Sequence, residues 1–370
     1  MRLTLERAAL LKALNHVQSV VERRNTIPIL SNVLITAREG AVSFTATDMD
    51  IEIQESVPAD VEMDGAVTAP AHTLYEIVRK LPDGAQVRFD LAGDDPRLTI
   101  AAGRSRFSLP VLPAGDFPAM SAGDFATRFR FEKRDLARLI DKTRFAISTE
   151  ETRYYLNGVY LHAPAGDGLL RAVATDGHRL ALAEMSAPEG AAGMPGVIVP
   201  RKAIQEIRRL LDDAGDEVQI ALSDAKVRFS FGRAHLTSKL IDGSFPDYTR
   251  VIPRGNPRTL EVENKLFADA VDRVATISAE RSRSVKLSLD DGRVVLTVNN
   301  PESGLAVEEI AAEYTAEPME IGFNARYLLD IAGQIGDSQA VFELADSASP
   351  TLVRDKADPQ ALFVLMPLRV

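Results

Sequence analysis

The segment most suggestive of catalysis is Asp176-Gly177-His178-Arg179, an aspartate two residues before a histidine with an arginine beside it. There His178 would be a general base, Asp176 its orienter and Arg179 the stabiliser of a developing oxyanion. A hydrolase needs more than this, and no Gly-x-Ser-x-Gly elbow, His-Glu-x-x-His pair or Walker loop accompanies the cluster. Ala174-Thr175-Asp176 is also echoed by Ala46-Thr47-Asp48, 128 residues earlier. The shared part reads as a recurring strand-end turn, and Gly177-His178-Arg179 as what the later copy adds. A hydrolase built on Asp176 and His178 is therefore carried only as an alternative. With no cysteine in the chain, thiolate nucleophiles, thiolate metal sites and disulfides are excluded, and no cofactor or metal is expected.

The echo belongs to a larger repetition. An acidic residue opens an amphipathic segment at Glu6, Glu132 and Glu263, followed in register by Leu10, Leu136 and Phe267, then Leu14, Ile140 and Val271. About sixty residues on, Leu74, Ile204 and Leu328 line up, with Ile77, Ile207, Ile331 and Leu81, Leu211, Ile335 behind them. Such self-similarity fixes an architecture before any motif is interpreted. Three domains follow, at 1–120, 128–248 and 258–370, each of a size that buries its own core.

In the first copy the stripe Leu10, Leu14, Val17, Val21 predicts a helix over Glu6–Val21. Strands are expected at Ile29–Ala37, Val42–Ala46 and Asp50–Val57, a second helix at Leu74–Leu81, then strands at Gln86–Leu91, Arg97–Ala101 and Ser105–Leu109. The unit is α+β, two helices on antiparallel sheets. Phe117-Pro118 and Phe245-Pro246 are expected to close strands, because proline cannot donate to a ladder. Ala119–Thr127 and Asp247–Thr259 read as linkers.

The net charge of −10 opposes nucleic-acid binding, yet the six predicted helices together carry +6, leaving −16 for strands and loops. Either solvated helix faces merely carry lysine and arginine, or a basic helical face on an acidic body attracts a polyanion to one surface. The N-terminal MRLTLERAALLKAL mixes charge into its apolar residues, which predicts a folded helix start and no signal peptide. No apolar run approaches a membrane span, and a cytoplasmic location is expected.

Several runs carry a resemblance. TRYYLNGVYL (152–161), ATDGHRLAL (174–182), VIVPRKAI (197–204), SKLIDGSFPDYTRV (238–251), IPILSN (27–32) and the terminal MPLR look like the bacterial DNA polymerase III β-subunit family, the sliding clamps. The likeness covers the whole chain. It implies a head-to-tail homodimer, a ring of six domains whose twelve helices line a hole for duplex DNA, with no catalysis of its own. Implied partners are double-stranded DNA, a second copy, a clamp loader, and the replicative polymerase and other clients.

By the same resemblance, Arg24, Arg79, Lys80, Arg153, Tyr154, Arg201 and Lys202 face DNA. A partner-peptide groove would comprise Leu156, Thr175, Gly177, His178, Arg179, Leu180, Pro246, Arg250, Val251, Val364, Met366, Pro367, Leu368 and Arg369. Aliphatic and methionine side chains would form its floor, and Arg179 and His178 would orient the peptide. Val364, Met366 and Leu368 would equally suit inward positions of a plain core strand. Ala348 and Pro350 stand where a larger aliphatic and a serine are expected, and Val370 replaces a terminal leucine. At the dimer contact Phe107 and Leu109 would meet Thr276 and Ile277, with Arg104 and Arg106 opposite Glu302, Glu308 and Glu309. Thr276 departs from an expected large aliphatic. A peptide-binding scaffold that does not act on DNA is the remaining alternative.

Overall fold

Helices form where apolar stripes of helical period occur, some of them behind a side chain that caps the first turn. In the computed structural model, which describes residues 1–91, 97–120, 123–164, 166–278 and 283–369, these are α1 (Arg7–Gln18), α2 (Ala71–Lys80), α3 (Lys133–Thr143), α4 (Arg201–Asp212), α5 (Asn264–Ala275) and α6 (Ala325–Ala332). Glu6 accepts from the Ala9 amide at 3.0 Å, and Glu263 from the amides of Lys265 and Leu266 at 3.0 and 2.9 Å. Each satisfies donors that a helix N-terminus leaves unpaired. Glu132, which like Glu6 and Glu263 is the last residue of a strand, pairs instead with Arg134 at 2.9 Å. The stripe of α1 buries Leu10, Leu14 and Val17, and Val21 is buried just beyond the helix end.

Several expectations are corrected. The chain opens with a strand, Arg2–Glu6, whose Leu3 and Leu5 point inward, and not with the helix. Ile29 lies in a 3₁₀ turn, Pro28–Ser31, and the strand begins at Asn32. Strands Asp60–Met63 and Gly65–Pro70 were not anticipated, and α2 starts three residues before Leu74. The Phe-Pro pairs do not close strands, which end at Pro110 and Lys239. The second expected linker contains a 3₁₀ turn, Tyr248–Arg250, with Tyr248 buried. Ser121 and Ala122 of the first linker, and Val370, lie outside the described residues.

The described chain forms two compact units. One holds Met1–Arg134, Pro188–Gly190 and Lys202–Leu240; the other holds Asp135–Ala187, Ala191–Arg201 and the chain from Ile241 onward. The first contains a five-stranded sheet ending at Ser105–Pro110 and an eight-stranded sheet in which Ala234–Lys239 pairs with Ile51–Pro58. The second contains an eight-stranded sheet in which Arg179–Ser186 pairs with Asp358–Leu365, and a four-stranded sheet ending at Gly304–Ala311. All of these pairings are antiparallel, and each eight-stranded sheet takes four strands from one repeat and four from the next. In the first unit α1 packs on α2 and on Ile51–Pro58; in the second α5 packs on α6 and the four-stranded sheet. Among the described residues no helix is long and apolar enough to cross a membrane.

Candidate functional site

The turn carrying Asp176 is built by its own side chains. Thr175 Oγ1 donates to the Arg179 carbonyl at 2.7 Å, and Asp176 Oδ1 accepts from the amides of His178 and Arg179 at 2.9 and 3.0 Å. Gly177 takes φ +88°, and a Cβ there would collide with the Arg153 guanidinium. The Asp176 carboxylate is thus spent on backbone and on Arg179 Nε at 3.0 Å. The His178 ring stacks near Tyr327, centroids 6.4 Å apart, and has no carboxylate partner among the described residues. The acid–base dyad is not assembled.

Arg179, expected to orient a docked peptide, is 9% exposed and makes its hydrogen bonds within the chain. Its guanidinium reaches Asp176, Asp330 at 2.6 Å and the Phe145 carbonyl at 2.7 Å, and lies over the Tyr327 ring at 4.3 Å. It fastens the turn to α6.

Beside this turn the strand pairing assembles an apolar surface. Leu180 lies opposite Val364, and Leu352 opposite Val364 on the other side. These three form one cluster with Val173, Leu182 and Tyr248, against which Tyr160, Phe245, Ile252 and Leu362 pack. Phe245 stacks flat on Tyr160 at 4.8 Å, so the Phe-Pro segment contributes a wall. The His162 imidazole meets Tyr248 Oη at 3.0 Å, and burial, reinforced by nearby Arg171, lowers its pKa to about 4. The floor is therefore uncharged at neutral pH.

Of the expected groove residues, Leu156, Thr175, Leu180 and Val364 are buried, whereas Val251 and Met366 expose 48% and 39%. Met366 lies beyond the last strand, which ends at Leu365, and its amide donates to the His178 carbonyl at 2.9 Å. It is a rim residue, not an inward strand position. Leu368 is half-buried and its amide donates to Gly322 at 2.8 Å; Pro367 is half-buried. Pro246 and Arg369 are exposed, as is Arg250, which pairs with Asp247 at 3.1 Å. Exposed aliphatic and methionine side chains over a neutral apolar floor suit a short apolar peptide anchor.

The expected DNA-facing residues differ in freedom. Arg24, Arg201 and Tyr154 are exposed. Arg79 and Lys80 are exposed beside Glu76, at 2.7 and 3.9 Å, and Arg153 pairs with Glu150 at 2.7 Å. Lys202 is not a free cation: Asp48 at 2.5 Å and Glu22 at 3.4 Å hold it.

At the expected dimer contact Arg104 and Arg106 are exposed, Phe107 is half-buried and Leu109 buried. Thr276 is exposed and Ile277 half-buried. Glu308 is already bound by Arg273 and Glu309 by Arg293 at 3.2 Å, so of the three expected acids only Glu302 lacks an ion-pair partner among the described residues. Leu305 and Val307, missed in the sequence, expose 65% and 58% on the edge strand Gly304–Ala311. Their alternation in GLAVEEIA was the available signal.

Three copies of one helix-and-sheet unit, with an apolar groove beside a strand junction, define a protein of repeated α+β domains. The N-terminal, central and C-terminal domain models of the DNA polymerase III beta subunit match residues 1–121, 130–247 and 249–369. The chain belongs to that family. It is 66% identical to the beta sliding clamp of Caulobacter vibrioides (strain NA1000 / CB15N) and 38% to that of Escherichia coli (strain K12), covering 100% of both partners in each comparison. Among solved structures, the Caulobacter crescentus clamp with bound PEG superimposes with TM-score 0.97 at 66% identity, covering 100% of this chain and 99% of that one. The griselimycin-bound Bartonella birtlesii clamp superimposes with TM-score 0.97 at 53% identity, covering 100% of both.

Proposed function

We propose that this chain is a DNA sliding clamp. Two copies join head to tail into a ring threaded by duplex DNA, and the replicative polymerase and other clients insert short segments into the groove and gain processivity. The observation that carries this reading is the likeness to sliding clamps over the full chain, all three domains included. The clamp domains are 1–120, 128–248 and 258–370. The protein works in the cytoplasm, where a clamp loader opens the ring.

Ring closure draws support from sheet edges. Ser105–Pro110 and Gly304–Ala311 each leave one edge unpaired among the described residues. An open edge invites another strand, and a heterologous contact between two different edges closes a ring when its rotation permits. Phe107 and Leu109 would anchor one side, with Ile277, Thr276, Leu305 and Val307 on the other, and Arg104 or Arg106 opposite Glu302.

Exposed Arg24, Arg79, Lys80 and Arg201, with half-buried Arg153 and exposed Tyr154, would meet phosphates without reading bases, so the ring slides. The free protein then binds linear duplex weakly and with strong salt dependence, while a loaded ring stays on a circle. The deciding experiment loads the protein onto nicked circular DNA with a clamp loader and then linearises the circle. Release on linearisation is expected. Retention on DNA with free ends would refute the topological mode and favour a scaffold held by ordinary contacts.

A further inference from the structure

The repeat makes the strand junction of the first unit a counterpart of the junction that floors the groove. In the groove, Leu180 faces Val364, which faces Leu352, and Leu182 faces Leu362. In the first unit, Glu52 faces Thr237, which faces Arg228, and Gln54 faces His235. Glu52 and Leu180 are 128 residues apart, the offset of the Thr-Asp turn itself. Rungs that are apolar at one junction are polar or charged at the other.

Those polar rungs line a cavity of about 950 Å³, completed by Arg128 on the strand Thr127–Glu132 and by Glu189 and Gly190. Gly190 takes φ +87°, and a Cβ there would collide with the Arg128 carbonyl, so this segment lies directly on the sheet. Arg228 is set in place: its Nε donates to Thr237 Oγ1 at 3.1 Å, and its guanidinium lies over the Phe125 ring at 5.0 Å. Neither Arg128 nor Arg228 has an ion-pair partner among the described residues. His235 Nδ1 meets Ser230 Oγ at 2.9 Å, leaving Nε2 without a hydrogen-bond partner among them. Glu52 is engaged by the Met120 amide at 2.9 Å, and burial raises its pKa.

We propose that this cavity is a second docking site, taking a short acidic peptide segment whose carboxylates lie against Arg128 and Arg228. The proposal rests on reading the apolar groove as a peptide site, since the two share one framework. The occupant follows from charge. A chain of net charge −10 repels acidic peptides over most of its surface, and two unpaired arginines in one cleft are a local exception. The cavity also exceeds what one small anion fills.

The test is fluorescence anisotropy of a fluorescein-labelled hexaglutamate peptide with full-length protein at low salt. One saturable site per chain is expected, weakened about fivefold or more by Arg228→Gln and by Arg128→Gln. Met366→Ala in the groove should leave it unchanged. Arg128 is exposed, so its variant keeps the test decisive even if Arg228→Gln unfolds. Equal affinity in wild type and Arg128→Gln overturns the proposal. So does loss of binding in Met366→Ala, or equal competition by acetate at matched carboxylate concentration. A polymerase-derived client segment titrated into wild type and Arg128→Gln reports on the groove separately. Failure of that segment to bind wild type would fault the groove reading, whereas normal binding to both proteins with no hexaglutamate site would fault the second site alone.

Discussion

His16 on α1 is 3% exposed and lies between two carboxylates, Glu55 at 2.5 Å from Nδ1 and Asp213 at 2.8 Å from Nε2. Glu55 is itself buried, whereas the Asp213 side chain is half exposed and also neighbours Lys12 at 3.7 Å. Arg209 reinforces the contact by donating to the His16 carbonyl at 2.7 Å. His16→Ala would strand the Glu55 carboxylate in the interior. Removing one partner of a buried pair costs about 3–5 kcal/mol, because the other charge remains uncompensated. The water-exposed Asp213 arm adds at most about 1 kcal/mol. Burial alone would lower the His16 pKa, but the two carboxylates outweigh it and raise the pKa above 6.5. The stabilisation is therefore fully present below the unfolded value and is lost as pH rises through the folded one. Urea unfolding followed by circular dichroism, with hydrogen exchange at the α1 amides, should show the first unit weakening as pH rises above 6.5. His16→Gln should flatten that slope. A cost below about 1 kcal/mol for His16→Ala, or a wild-type curve flat above pH 6.5, would refute the reasoning.

In the groove, Met366→Ala should weaken a client peptide about tenfold in calorimetry while changing stability by less than about 0.5 kcal/mol, since the side chain lies on the rim. Removing Met366 to Val370 should abolish client binding and leave the dimer intact on sedimentation. At the proposed ring contact, Arg104→Glu and Arg106→Glu with Phe107→Ala, or Leu305→Lys with Val307→Lys, should each give a folded monomer; a persistent dimer would place the contact elsewhere. Gly177→Ala should cost about 1–2 kcal/mol in urea unfolding, from its left-handed backbone and displacement of Arg153.

What the sequence made legible was periodic. The α1 stripe and its two echoes are visible because four or five apolar residues repeat at helical spacing, and Glu6 and Glu263 cap where they stand. The strand Arg2–Glu6 was hidden because its two inward leucines run directly into the helical pattern. The groove floor was only partly legible. Leu180 and Val364 came from a family resemblance, but Leu352, Val173 and Tyr248 join them through antiparallel register and a 3₁₀ turn, which pair residues far apart in sequence. Residue type also misled where pairing within the chain decided the role. Arg179, Lys202, Glu308 and Glu309 look like free surface charges, yet each has partners within its own chain.

The apparent catalytic motif is explained by the same repetition. Asp48 Oδ1 accepts from the amides of Asp50 and Ile51, Asp176 Oδ1 from those of His178 and Arg179, and Asn300 Oδ1 from that of Glu302. A carboxylate and a carboxamide do the same work, so the position requires an acceptor and not a titratable acid. The residue after the acid tells the same story: Met49 at φ +79° occupies the place of Gly177 at φ +88°. A side chain is tolerated in the first copy, whereas in the second a Cβ would meet the Arg153 guanidinium, which would have to move aside. The turn is thus common scaffolding, and the copies diverge in the rungs beside it, where Leu180 and Val364 make one junction apolar and Glu52 and Thr237 leave the other polar.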